Sequence, residues 1–204
     1  LGTGAQLRAL DAATLMIVCS DNIATNMLID YLGLAAINEF IAAVGCPNTR
    51  LHRMLASDNW GAPLGSITPR DYGHFFARLA KGELVSPAAS EAMRGIFRQQ
   101  HYNQMFIGSL PPYYTDAEES GADPELIYTA TKSGSMDACR NDGGLVHTPY
   151  GDYVLAMMCT DFKNKLEVND HPAFLYGARV SRLLFDQYLA LEGRFERRLD
   201  GAEG

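Results

Sequence analysis

Residues 126–160, LIYTATKSGSMDACRNDGGLVHTPYGDYVLAMMCT, decide the fold class. Leu126–Thr131, Gly144–Thr148 and Tyr153–Thr160 are rich in β-branched and aromatic residues, the composition of strands. Turn chemistry separates them at Asn141-Asp142-Gly143-Gly144 and at Pro149-Tyr150-Gly151-Asp152. The last two strands and their short turn read as a hairpin, so the three strands are expected to be antiparallel.

Upstream the period changes to that of helices. Residues 6–19, 22–32 and 34–44 carry apolar residues at helical spacing, the second closed by Gly33 and the third by Gly45. Thr68-Pro69 and Ser86-Pro87 each pair a capping hydroxyl with proline in the first turn, and start helices running to about Ala80 and Gln100. Cys46–Ile67 reads as a long irregular loop, and loops of that length are often functional. Residues 101–125 are loop-rich and acidic, and Pro172–Arg197 reads as a long amphipathic helix. The expectation is a single α+β domain: residues 1–125 mostly helical, residues 126–204 antiparallel strands covered by the C-terminal helix.

Bulk composition narrows the function classes. The 204 residues are 47% hydrophobic and 20% charged, ordinary for a globular core. A formal charge of −7 argues against nucleic acid as partner. Arg194, Arg197 and Arg198 cluster, but Glu192, Glu196 and Asp200 interleave with them. No apolar run approaches the length of a membrane span. Cys19, Cys46, Cys139 and Cys159 form no CxxC pair, and the five histidines stand singly. No metal and no cofactor are expected. Leu1-Gly2-Thr3-Gly4 shows none of the features of a signal peptide.

Two triplets carry chemistry. In Lys132-Ser133-Gly134, a lysine at a strand end offers positive charge to a substrate carboxylate. Ser133 adds a hydroxyl, and Gly134 lets substrate approach the backbone. The amide of Ser135 is then placed to donate to a developing oxyanion. The plainer reading is a turn ending a strand. In Ser20-Asp21-Asn22, the hydroxyl can relay a proton to a leaving amine, and the Asn amide can hold a substrate carbonyl. The plainer reading is a helix cap.

The two triplets together match part of the S-x-x-K, S-D-N, K-[ST]-G set of class A β-lactamases and penicillin-binding proteins. Met16–Gly33, MIVCSDNIATNMLIDYLG, strongly resembles a helix pair of that serine hydrolase family. Gly45–Arg53 resembles the start of its omega loop, and Ile67-Thr68-Pro69-Arg70-Asp71 resembles the end. Arg140-Asn141-Asp142 resembles the segment leading into the next strand. The similarity runs from about residue 6 to 191. It implies a β-lactamase-like fold and hydrolysis of β-lactam amides through an acyl-serine, on a monomer secreted or held in the periplasm. It assigns catalytic roles to Ser20 and Lys132, and substrate contacts to Asn22, Ser133, Gly134 and Ser135. Asp142 is expected to act behind the site. A D,D-peptidase or esterase of the same fold is the alternative, and a non-catalytic binding relic is a third.

Two departures bear on the reaction. None of the serines has lysine three positions on, so the nucleophile motif is missing from these residues. The resemblance implies a fragment of a longer gene product, lacking two strands and the nucleophile helix; the other reading is a protein that lost its nucleophile. Further, the omega-loop glutamate that activates the deacylating water corresponds here to Leu55, and no Glu lies between Arg50 and Arg70. Asn59 falls where the family places a water-holding asparagine, and Asp58 is the nearest carboxylate. A missing base implies slow release of the acyl group, as in a penicillin-binding protein.

Overall fold

The computed structural model describes residues 4, 6–55, 63–102, 104–110, 127–137, 139–148, 150–166 and 168–190. Asp58 and Asn59 lie outside the described residues, as do Arg194–Arg198.

The chain opens with three helices: α1 (Ala9–Val18), α2 (Asn22–Leu32) and α3 (Leu34–Ala43). The Asp21 carboxylate caps α2 by accepting from the Ala24 amide at 2.7 Å. At the end of α3, Gly45 has φ +85°, and the amides of Gly45 and Cys46 donate to Ala42 and Ile41 carbonyls at 3.0 and 3.2 Å. This is a Schellman turn, which needs the left-handed conformation glycine supplies. Two further helices, α4 (Pro69–Ala80) and α5 (Pro87–Phe97), start at Thr68 and Ser86, whose side chains accept from the amides three residues on.

Between α3 and α4 the expected irregular loop is closed at its neck by a small ladder. Strand β1 (Arg50–Leu51) pairs antiparallel with β2 (Gly65–Ser66). Two-residue strands are too short to show alternation, which is why the sequence pattern missed them. Gly65 is required there, since a Cβ would lie 2.4 Å from the Arg50 carbonyl oxygen.

The main sheet differs from expectation in its middle strand. Strands β3 (Tyr128–Thr131), β4 (Gly134–Met136), β5 (Cys139–Thr148) and β6 (Gly151–Thr160) are all antiparallel. β5 is central: β6 pairs along one edge, and β3 then β4 share the other. The expected turn at Asn141–Gly144 is therefore wrong; those residues lie inside β5. Their glycines serve close backbone approach. A Cβ on Gly144 would lie 2.2 Å from the Ala130 carbonyl oxygen, and one on Gly143 2.4 Å from that of Leu155. The hairpin between β5 and β6 is as expected.

Both sheet faces are covered, giving three layers. On one face, Ala130 and Leu145 pack with Phe76, Leu79, Leu84 and Phe97 of the helical side. Rings of Phe76 and Phe97 meet at 5.1 Å, and Phe76 meets Tyr72 at 5.0 Å. Each phenylalanine buried this way contributes about 1.5–3 kcal/mol. On the other face, Ile127 and Val146 pack with Phe106, Leu110 and Phe185. Phe185 belongs to α6 (Pro172–Ala190), the helix expected to cover the sheet. No described helix is long and apolar enough to cross a membrane.

Asp71, buried on α4, ties the helix to the loop neck. Its carboxylate accepts from the Asn48 amide at 2.7 Å and the Thr49 hydroxyl at 2.9 Å. Burial pushes its pKa up, but the bonds from Thr49, Asn48 and Thr68 outweigh this and hold it below the ordinary value. A depressed carboxylate stabilises the fold above the unfolded value of about 4, and this is lost as pH falls further. Asp71→Asn is therefore expected to lower Tm by several degrees at pH 7. The deficit should shrink in thermal melts below pH 4; a deficit independent of pH would contradict the assignment.

Candidate active site

Ser20 occupies the junction between α1 and α2 with φ +52°, a left-handed conformation rarely held by a non-glycine residue. Such strain persists where surrounding structure over-determines it, and it gathers at functional sites. Here the Asp21 amide returns to the Leu15 carbonyl at 3.2 Å while the Asp21 side chain caps α2. The capping and functional readings of this triplet therefore divide between neighbours: Asp21 caps, and Ser20 is turned toward the sheet.

The partner of Ser20 comes from 112 positions away. Lys132 lies between β3 and β4 on the outer edge of the sheet, and its ammonium donates to the Ser20 hydroxyl oxygen. The same ammonium donates to the Ser133 carbonyl at 2.6 Å. Burial lowers the Lys132 pKa to about 8, with the Asp142 carboxylate acting in the opposite direction. Asp142 is itself buried and pushed up to about 6, against the pull of amide bonds from Phe106 and Gly143, both 2.8 Å, and of Lys132. It thus holds residue 106 to β5.

The remaining substrate-contact candidates lie close in the chain to these two. Asn22 is exposed in the first turn of α2. Ser133 is half-buried, Gly134 exposed, and Ser135 half-buried opposite Arg140. Among the described residues no group of His, Cys, Asp and Glu is arranged to hold a metal ion.

Two residues that sequence reasoning missed complete the walls. Asn26, one helical turn beyond Asn22, grips the backbone of Leu55. Its amide nitrogen donates to the Leu55 carbonyl at 2.7 Å, and its oxygen accepts from the Leu55 amide at 2.8 Å. Asn38 of α3 holds Leu51 the same way, at 2.9 and 2.8 Å. The i, i+4 spacing of Asn22 and Asn26 was the only available signal. Tyr72 of α4 is the second: its hydroxyl donates to the Lys132 carbonyl and, at 3.2 Å, to that of Gly143.

Comparison with known proteins bears on the family and the fold. Residues 1–188 match the family model described as the beta-lactamase enzyme family. A curated β-lactamase from Streptomyces albus G is 26% identical, the alignment covering 68% of this chain and 51% of that protein. The solved β-lactamase from Sphaerobacter thermophilus is 27% identical with TM-score 0.76, over 92% of this chain and 66% of that one. PBP-A is 29% identical with TM-score 0.74, over 94% and 64%. The chain thus spans about half the length of the curated relative and under two thirds or so of the solved ones. With the match running over nearly all of its length, the chain belongs to the β-lactamase enzyme family.

Proposed function

We propose that the complete gene product is a serine hydrolase of the class A type, opening β-lactam amides through an acyl-serine intermediate. The observation that carries this reading is the Lys132 ammonium donating to the Ser20 hydroxyl oxygen. That bond uses a lone pair of Ser20 and leaves its O–H to be given away. On this reading a serine nucleophile gives its O–H proton to a base outside these residues and adds to the lactam carbonyl; the C–N bond breaks, and the ring nitrogen takes the Ser20 proton. Lys132 returns a proton to Ser20 and regains one from solvent as the base releases its own, an exchange that a pKa lowered to about 8 suits. Asn22 holds the acyl amide, Ser133 and Gly134 receive the substrate carboxylate beside Lys132, and the Ser135 amide faces the oxyanion. These 204 residues contain no Ser-x-x-Lys, so this reading requires a nucleophile from a part of the gene product outside them. A monomer acting in the periplasm or outside the cell fits the family.

Leu55 favours a second reading in which acylation is followed by slow release, as in a D,D-peptidase or penicillin-binding protein. Its backbone is fixed by Asn26 beside α2, yet its side chain cannot take a proton from water. Asp58 and Asn59 remain the loop's candidates for that task. A chromogenic cephalosporin assay on the complete gene product separates these readings. Sustained fast turnover supports the β-lactamase, and one burst with a stable adduct supports the second reading. The absence of any adduct leaves only carboxylate binding at Lys132.

A further inference from the structure

We propose that Tyr72 is a positioning residue for Lys132, setting the height of the lysine against Ser20 through the carbonyl of the lysine's own peptide. The kinetic consequence rests on the acyl-transfer reading; the placement of the ammonium does not.

Lys132 stands at a weak point in the sheet. It falls in the gap between β3 and β4, where the edge of β5 passes from one partner to the other. Across that gap the Lys132 amide donates to the Gly143 carbonyl at 3.1 Å. The Lys132 carbonyl is taken by the Tyr72 hydroxyl, which also reaches the Gly143 carbonyl. One phenol thus joins the lysine peptide to the central strand from the helical layer.

The phenol is well anchored. Its ring packs on Phe76, and Gly143 is bare beneath it: a Cβ there would lie 3.1 Å from Tyr72 Cε1. Burial, with the Asp142 charge nearby, pushes the phenol's pKa well up, so it remains a donor across the working pH range. The preceding residue, Asp71, holds Asn48 and Thr49 at the base of the loop neck. Consecutive residues of α4 therefore fix the loop wall and the lysine wall to one rigid element. Without the hydroxyl, the Lys132 carbonyl loses the partner that α4 supplies and the edge is free to move outward. The ammonium then exchanges its contact with Ser20 for water.

Tyr72→Phe removes one oxygen and keeps the ring. In the complete gene product labelled with 13C at lysine Cε, the Lys132 resonance is assigned by its loss in Lys132→Arg. Wild type is expected to titrate near pH 8, where burial places the ammonium. In Tyr72→Phe the midpoint should move up toward the ordinary value of about 10.5. Acyl-enzyme formation with a chromogenic cephalosporin should slow about tenfold, the scale of one buried group losing its partner. Phe97→Leu is the control: it trims the core ring against Phe76 and lowers Tm, but should leave the Lys132 midpoint unchanged. An unshifted midpoint in Tyr72→Phe, or an equal shift in Phe97→Leu, overturns the proposal. A wild-type protein that forms no acyl-enzyme counts against the acyl-transfer reading, and the titration still decides the role of Tyr72.

Discussion

Lys132→Ala should slow acylation of the complete gene product by a factor of about 10²–10⁴, the range for loss of a positioned proton-transfer group. Two functions disappear together: the charge beside the carboxylate site and the donor to Ser20. Single-turnover acylation with a chromogenic cephalosporin measures it, and an unchanged rate constant would remove Lys132 from the mechanism. Lys132→Arg should not restore the rate, since a planar guanidinium is not interchangeable with a compact ammonium seated against both Ser20 and the Ser133 carbonyl.

Stability should move the other way. Burial lowers the folded pKa of Lys132 to about 8, so below that pH the fold carries the full penalty of a poorly solvated charge. Between about 8 and the unfolded value of about 10.5, the unfolded chain binds more protons, and stability rises with pH. Lys132→Ala lifts that penalty, so its Tm at pH 7 should equal or exceed that of wild type. The same titration predicts the rate profile: wild-type acylation declines as pH rises through about 8, and the alanine variant shows no such limb.

The parts of this fold that were legible in the sequence are those specified locally. Asp21, Thr68-Pro69 and Ser86-Pro87 mark helix starts because capping is settled within four residues of chain. The glycines at 143 and 144 were misread because a turn and a crowded strand crossing both call for glycine, and only the neighbouring strands tell them apart. β4 was missed because three residues after Lys132-Ser133 show no alternation. The site follows the same division. Ser20 and Lys132 stood out as candidates through their side-chain chemistry, and the fold brings them into contact although 112 positions separate them. Asn26 and Tyr72 act on backbone carbonyls and amides, and a backbone partner leaves no mark on the residue type at its position.

Leu55→Glu should shorten the lifetime of the acyl-enzyme by a factor of about 10²–10⁴ while changing acylation little, because a general base acts only on the water step. The geometry favours so large an effect from one residue. Asn26 holds both the amide and the carbonyl of Leu55, so the backbone at this position is already fixed to α2, one turn from Asn22. A glutamate placed there inherits a positioned backbone and needs only its own side-chain torsions to be set. Its half-buried setting should also raise its pKa toward the range where a carboxylate accepts a proton well near neutral pH. Adduct decay followed by intact-protein mass spectrometry measures the effect, and an unchanged lifetime would place Leu55 away from the acyl group. The Asn26→Ala change supplies the second half of the argument. Combined with Leu55→Glu, it releases the loop backbone and should abolish most of the gain in decay rate. In the wild-type background it should leave the acyl-enzyme lifetime nearly as it was if release is slow, as the second reading has it, since leucine has no base to misplace.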